Sequence, residues 1–455
     1  MKDSVCKKFS LWILLITVIF PVLAQDGNPL QFLSDVSQSS RINPAFQNKT
    51  DKLIIGLPVL AGITVNWQSN FPINNLSTNN FTTDFYNSLE NKSGKAFYST
   101  HIPLIFLSFK NNIGTFRFSV SEKIIGKTNF SDEMVNFIAQ GLLPYYGKSE
   151  DFGPLSFSSH YYREIAFAYS TEIIPNLHIG IRPKILFSKF YYAIEDAFYK
   201  VETLNETEIL VLKPEGNYTV SGPIKVVVNQ ENNTEAIKPD IKPGDYFINF
   251  RNMGTGIDLG LNFTPNKETE LSVSILDIGF TGLKHKTYNV TYTHPIHYTK
   301  EDLYQSAHPE APRYWSPSEA LAAFSDSIPS ITTINNIQKG LVKTLPLQIN
   351  AMLRHKLANH LQFGLSNHFT YYKNQSVNYL TGFIGTRLGQ NFELAGTINV
   401  YDFERVFPGL GASYTSKSLQ YFISTNNFLE LVQPTSAKNL NLCFGVNFLF
   451  SKAEN

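Results

Sequence analysis

From Leu53 to Trp67 every odd-numbered residue is apolar: Leu53, Ile55, Leu57, Val59, Ala61, Ile63, Val65 and Trp67. The even positions begin mixed, with Ile54, Gly56, Pro58 and Leu60, and turn polar at Thr64, Asn66 and Gln68. A period of two held over about fifteen residues is a β-strand with two unlike faces. It outruns the roughly six residues common in globular sheets and suits a tilted membrane crossing. Pro58 runs against the pattern, since it removes a ladder donor, which an N-terminal strand bordering a bulge could accommodate.

The alternation returns along the chain. Phe116, Phe118 and Val120 alternate with Arg117, Ser119 and Ser121, and Ile179, Ile181 and Ile185 with His178, Arg182 and Lys184. Ile257 to Phe263 interleave with Asp258 and Asn262, Leu361 to Tyr371 with Gln362 and His368, and Leu440 to Phe450 with Asn441, Cys443 and Asn447. Strands are expected near 53–68, 102–110, 113–124, 161–172, 177–192, 246–264, 269–294, 344–357, 360–373, 377–389, 391–401, 406–415, 418–428 and 439–450. Links after the even-numbered strands are tight, as at Ile174-Pro175-Asn176 and Ala358-Asn359. Every long segment (69–101, 125–160, 193–245 and 295–343) follows an odd-numbered strand. Loops segregated in this way mark an outer-membrane barrel, and a soluble sandwich has no reason to segregate them. The expected fold is all-β, a transmembrane antiparallel β-barrel of about fourteen strands over residues 53–450.

The ends agree with export. Lys2, Lys7 and Lys8 precede an apolar run from Leu11 to Phe20, and Val22-Leu23-Ala24 gives small residues at a cleavage site. Residues 1–24 are expected to be a signal peptide, since the run is too short to span. Its removal takes three lysines and one acid from 38 basic and 37 acidic residues, leaving 35 and 36, a net charge of −1. Such a balance gives no support to a nucleic-acid partner. Cys443 is then the only cysteine left, so no disulfide or zinc-finger framework exists. Residues 451–455 are a short tail, and both termini are expected in the periplasm.

Ahead of the first strand stand Gln31-Phe32-Leu33-Ser34-Asp35-Val36 and Arg41-Ile42-Asn43-Pro44-Ala45-Phe46. Asn43-Pro44-Ala45 in this place, followed by about fourteen strands, resembles the FadL/TodX group of hydrophobic-compound channels. It looks closer still to PorV-like and uncharacterised barrels related to that group, as do Gly254 to Gly260 and Asp277-Ile278-Gly279. The resemblance implies that residues 25–52 fold into the lumen as a plug holding Asn43, Pro44 and Ala45. Read from the residues alone, Asn before Pro is also an ordinary turn.

Candidates for chemistry lie on the polar faces. The lumen-facing set comprises Arg117, Glu164, His178, Arg182, Lys184, Asp258, Asn262, Gln348, Asn350, Arg354, Gln362, His368 and Glu393. Charges of both signs facing inward can pair with one another and hold a plug, or receive a ligand. Arg182 and Lys184 on one face suit an anionic head group. Two loops carry helix signals: Ser316-Pro317-Ser318-Glu319, and Ser131-Asp132-Glu133 ahead of Met134, Val135, Phe137 and Ile138. His294-Pro295-Ile296-His297 is a poor metal site because of its proline, and no nucleophile elbow, phosphate loop or dinucleotide fingerprint occurs. No cofactor is expected, and the chain does not read as an enzyme. Three functions stand: a channel for hydrophobic, fatty-acid-like molecules gated by the plug; a non-transporting scaffold or membrane subunit of a secretion or surface-attachment system; and, last, a barrel enzyme with Ser, His and acid assembled from separate strands. The partners implied are outer-membrane lipid, a hydrophobic ligand in the first case and a secretion or surface protein in the second.

Overall fold

A computed structural model describes residues 29–33, 35–47, 53–73, 89, 93–134, 143–204, 209–228, 235–244, 248–299, 331–337, 339–358, 360–372, 375–401 and 405–450. The expected signal peptide, the tail 451–455, the Ser316 helix and residues 135–142 lie outside them. Among the described residues twenty-one strands follow one another. The first half holds β1 (Leu53–Ser69), β2 (Gly94–Asn111), β3 (Gly114–Phe130), β4 (Ser149–Ile174), β5 (Leu177–Leu204), β6 (Ile209–Ser221), β7 (Ile224–Val228), β8 (Glu235–Pro239), β9 (Met253–Phe263) and β10 (Thr269–Leu283). The second holds β11 (Thr287–Tyr292), β12 (Ile296–Tyr298), β13 (Thr332–Asn336), β14 (Leu341–Thr344), β15 (Leu347–Lys356), β16 (Leu361–Tyr372), β17 (Gln375–Leu388), β18 (Phe392–Tyr401), β19 (Arg405–Thr415), β20 (Leu419–Thr425) and β21 (Asn439–Phe450).

Antiparallel ladders run from β1 through β5, pass to β9 and β10, continue from β15 to β21, and close where Leu53 meets Phe450. Closure pairs the first strand with the last, which is how a sheet meets the demands of hydrocarbon. The ladders just traced join fourteen strands, and with the further strands paired onto them the closed sheet counts sixteen against the fourteen expected. Further pairing occurs in stretches expected to be loops. There β6 joins β5 to β11 and β12, and β13 pairs with β11. Lys213-Pro214-Glu215-Gly216 inside β6 reads as turn punctuation, and neighbouring strands overrule it. For the same reason β4 and β5 reach 26 and 28 residues, well beyond their expected spans.

The faces are inverted relative to a soluble protein. On β5, Ile179, Ile181 and Ile185 are 36–48% exposed on the outside, while Arg182 and Lys184 are 8% and 2% exposed within. Outward Leu259 and Leu261 alternate likewise with buried Asp258 and Asn262, and Phe363 and Leu365 with Ser366 and His368. A continuous apolar outer surface of this kind is stable only against lipid. Among the described residues no helix is long and apolar enough to cross a membrane; the crossing is made by strands. Beyond one end of the barrel, the long strands build apolar clusters of their own. One joins Met134, Phe152, Val201 and Leu212, and another Val220, Ile224 and Val290.

Candidate functional site

Residues 29–33 and 35–47 lie against the inward faces of strands from most of the barrel. Two short 3-10 turns, Pro29–Phe32 and Ser37–Arg41, shape this segment. Serines tie it locally: Ser39 Oγ donates to Leu30 O at 2.9 Å and Ser40 Oγ to Ser37 O at 2.7 Å. Its apolar side chains Leu30, Phe32, Leu33 and Val36 pack with Met352, Phe383, Phe422 and Cys443, and the Phe32 ring stacks on Phe383 at 3.8 Å. Polar anchors lie between: Gln31 Nε2 donates to Ser366 Oγ at 2.8 Å, Gln38 and Asn447 exchange amide bonds at 2.7 and 3.0 Å, and Arg387 pairs with Asp35 at 2.6 Å.

Asn43-Pro44-Ala45 has a prepared seat. Asn43 Oδ1 accepts from Ala45 N at 2.8 Å, the Asx turn expected of Asn before Pro. Asn43 Nδ2 donates to Leu261 O at 2.9 Å and Val273 O at 3.3 Å. Beneath the turn, Gly180 and Gly260 face each other across the β5–β9 ladder. A Cβ on Gly180 would overlap the backbone of Pro44 and Ala45, and one on Gly260 would overlap the Asn43 side chain. The bare backbone of two paired glycines is what lets the turn lie flat on the wall.

Beside this seat, the inward charges form one network. Arg182 pairs with Asp258, and its Nη2 donates to Arg41 O at 3.2 Å. Lys184, fully buried, sits among Asp258 at 2.6 Å, Asp277 and Glu164 at 3.7 Å. Lys123 pairs with Glu164 at 2.7 Å, and Gln348 Nε2 donates to Asp277 Oδ2 at 2.8 Å. Asp258 Oδ1 also accepts from Asp277 N at 2.7 Å. Buried charges persist only when paired and hydrogen-bonded, and each of these is. Arg182 and Lys184 are therefore engaged by carboxylates, and the geometry lends no support to an anionic head group on that pair.

The other sequence candidates divide by position. Arg117 donates to Phe46 O, while Asn350 Nδ2 reaches Ile42 O at 3.3 Å and Gln362 Nε2 reaches Phe32 O at 3.3 Å, so all three hold the segment. His368 bonds Asn350. Glu393 lies 4.0 Å from Arg387. Arg354 pairs with Glu270, which also accepts from Asn262 Nδ2 at 3.0 Å, away from the segment. His178 stands opposite Asn262 in the ladder. Sequence reading missed Asp277 as an inward residue. Strict alternation from Val273 and Ile275 sends it outward, but the register shifts between Ile275 and Ile278, and Asp277 turns inward at φ 60°. Among the described residues no group of His, Cys, Asp and Glu could hold a metal ion. The Ser131 helix signal holds where described, with Ser131 Oγ accepting from Met134 N at 3.1 Å.

The wall itself is interrupted on one side. β1 pairs with β2 at Ile54 and Ile55 and again from Thr64, with no partners between. Its register with β21 also shifts twice between Gly56 and Ile63. Within this stretch Pro58 and Val59 are exposed, and Val59 takes φ 67°. A β-branched residue there is strained by about 1–2 kcal/mol. Directly behind lies a cavity of about 160 Å³. Ala61, Thr64, Ser99, His101, Pro103 and Phe106 line it from the wall, Leu30, Arg41 and Ile42 from the segment, and Lys123, Glu164 and Arg182 from the network.

A closed sheet, apolar outside, charged within and occupied by its own chain, defines a transmembrane β-barrel of the outer-membrane kind. The chain belongs to a family of unknown function, DUF5723, whose model matches residues 44–426. No curated protein matches it. Among solved structures it is similar to the toluene transporter TbuX of Ralstonia pickettii, at 8% identity over 91% of this chain and 94% of that one, TM-score 0.43. It is similar also to the toluene transporter TodX of Pseudomonas putida, at 7% identity over 95% and 98%, TM-score 0.42. A FadL homologue of Pseudomonas aeruginosa gives 9% over 90% and 92%, TM-score 0.37. At such identities and scores nothing about the chain's function follows from them.

Proposed function

We propose that the chain is a bacterial outer-membrane channel for small hydrophobic, fatty-acid-like molecules, which pass sideways through the wall beside β1. Residues 25–52 are its plug, the tight turns and both termini face the periplasm, and residues 1–24 direct export. One observation carries the reading: the stretch of β1 that lacks partners in β2 fronts the interior cavity. Unpaired wall backbone is costly at membrane depth and is kept where it lines a cavity or passage. The described part of the segment packs across the interior, and the cavity is smaller than the roughly 300 Å³ of ordinary ligand pockets, which favours a sideways path over an axial one.

Blocking the opening tests this. Thr64 lines the cavity at the edge of the gap. In a Cys443→Ser background, Thr64→Cys carrying a bulky thiol-reversible adduct should slow uptake of radiolabelled toluene by cells, and reduction should restore it. The same adduct on Ile384→Cys, outward on a distant strand, should leave uptake unchanged. Equal uptake by blocked and unblocked Thr64→Cys cells would refute passage by this route.

A second reading draws on the apolar clusters beyond the barrel end. They give the overlong strands a built surface, as a scaffold or membrane subunit of a secretion or attachment system requires. The PorV-like side of the resemblance goes with it. A stoichiometric protein partner co-purifying in mild detergent, with uptake indifferent to the block, would favour this reading.

A further inference from the structure

We infer, resting on the passage proposed above, that Arg41 makes the cavity a binding site for a small organic acid, a carboxylate on a compact apolar body. The charges around the cavity do not balance. Arg41, Lys123, Arg182 and Lys184 are four cations, whereas Glu164, Asp258 and Asp277 are three carboxylates. Three of the cations touch a carboxylate, and Arg41 does not. Its Nη1 donates to Gly62 O at 2.8 Å and meets His101 Nδ1 at 2.5 Å, and its Nη2 lies 3.6 Å from Cys443 Sγ. Arginine has only donors, so His101 Nδ1 accepts and that ring adds no charge. One partly buried positive charge is thus left without a counter-ion within reach among the described residues, an arrangement that an anion relieves.

The free donors have a shape. Among the described residues Nε–H carries no bond and Nη2 meets only Cys443 Sγ at 3.6 Å, and the Nε–Nη2 edge of a guanidinium is the side that takes a carboxylate bidentately. The rest of the lining sets the body of the ligand. Leu30, Ile42, Ala61, Pro103 and Phe106 give the lining an apolar part beside the charged one. Apolar cavities of about 150 Å³ accommodate a benzene ring, and this one measures about 160 Å³. A single-ring acid fits this combination. Arg41 Nη1 meanwhile keeps its bond to Gly62 O, and Gly62 belongs to the interrupted stretch of β1 at φ 100°, so a carboxylate on the other side of the guanidinium sits next to the tie between segment and wall.

The test uses the full barrel in detergent micelles, with 4-fluorobenzoate and its neutral analogue 4-fluorobenzamide observed by fluorine NMR. Fluorobenzoate should bind the wild type, and Arg41→Gln should raise its Kd about tenfold or more, the loss of a charge-assisted bond. Arg41→Lys keeps the charge without the fork and should fall between. The amide should bind all three equally weakly. Heat-modifiable migration on gels verifies that each variant is folded; should Arg41→Gln not fold, Arg41→Lys decides alone. An unchanged Kd in the folded variants, or amide binding as tight as acid binding, would overturn the inference. The thiol block separates the two claims. If the block stops toluene while fluorobenzoate ignores Arg41, the passage stands and the acid site falls. If Arg41→Gln weakens fluorobenzoate while blocked cells take up toluene normally, the site stands and the passage falls.

Discussion

Replacing either glycine of the Gly180–Gly260 pair by alanine should release the Asn43–Ala45 turn while leaving the barrel folded. At Gly180 the added methyl meets the backbone of Pro44 and Ala45, so no rotamer change relieves it. Overpacking of this kind costs about 1–3 kcal/mol. The turn that lifts away also gives up the Asn43 bonds to Leu261 O and Val273 O, each worth about 1 kcal/mol net. A combined penalty of about 3 kcal/mol shifts the docked-to-released ratio by roughly a hundredfold. The wall responds in the opposite sense, since glycine inside a strand is weaker than alanine by about 0.5–1 kcal/mol. Two assays therefore diverge. Ser40 is buried in the wild type, so Ser40→Cys in a Cys443→Ser background should react slowly with a maleimide and much faster once Gly180→Ala is added. Heat-modifiability and the urea midpoint of the barrel should hold or rise. A labelling rate unchanged by Gly180→Ala in a folded barrel would refute the seat.

Two further outcomes follow from the same geometry. Lys184→Met removes the cation at the centre of Asp258, Asp277 and Glu164, and should cost about 3–5 kcal/mol through the buried carboxylates left behind, read as a lower urea midpoint for refolding in micelles. Leu261→Arg places a charge on the outward face at a residue 50% exposed; it should cost about 2–4 kcal/mol in lipid bilayers, and little in water if that face were not against lipid.

Much of the barrel was legible because lipid outside and water or charge inside impose a period of two, which Ile179 to Ile185 and Leu259 to Phe263 keep. The tight turns at Pro175-Asn176 and Asn111-Asn112 were legible for the same reason, as turn residues between alternating runs. Strand ends were not. β4 and β5 lengthen beyond their expected ends because neighbouring strands and apolar clusters stabilise them, and Lys213-Pro214-Glu215-Gly216 concealed β6. Where alternation holds, the polar residues it turns inward, such as Arg182, Lys184, Asp258 and Asn350, are buried. It failed at bulges: Asp277 turns inward only through a register shift. Arg41 and Gln38 were out of reach for a different reason. They lie on a non-periodic segment, where no spacing says which wall a side chain meets.

The distribution of the segment's anchors bears on where such a barrel opens. Its apolar residues pack toward the strands that carry Met352, Phe383, Ala395, Phe422 and Cys443. Its turn and carbonyls are held by Leu261 O, Arg182, Arg117, Asn350 and Ser274, from β3, β5, β9, β10 and β15. Toward β1 and β2 the described ties are few: Arg41 to Gly62 O and His101, and Gln38 to Ala61 O at 3.2 Å. Expelling the whole segment would put Leu30, Phe32, Leu33 and Val36 into a polar lumen, at about 1.5–3 kcal/mol for each large side chain. Loosening it at β1 disturbs only those few bonds. The side where the segment is held most lightly is also the side where β1 lacks partners in β2 and Val59 is strained. Under the proposed function the path of least resistance is therefore lateral, and the segment need not leave the barrel for a small molecule to pass.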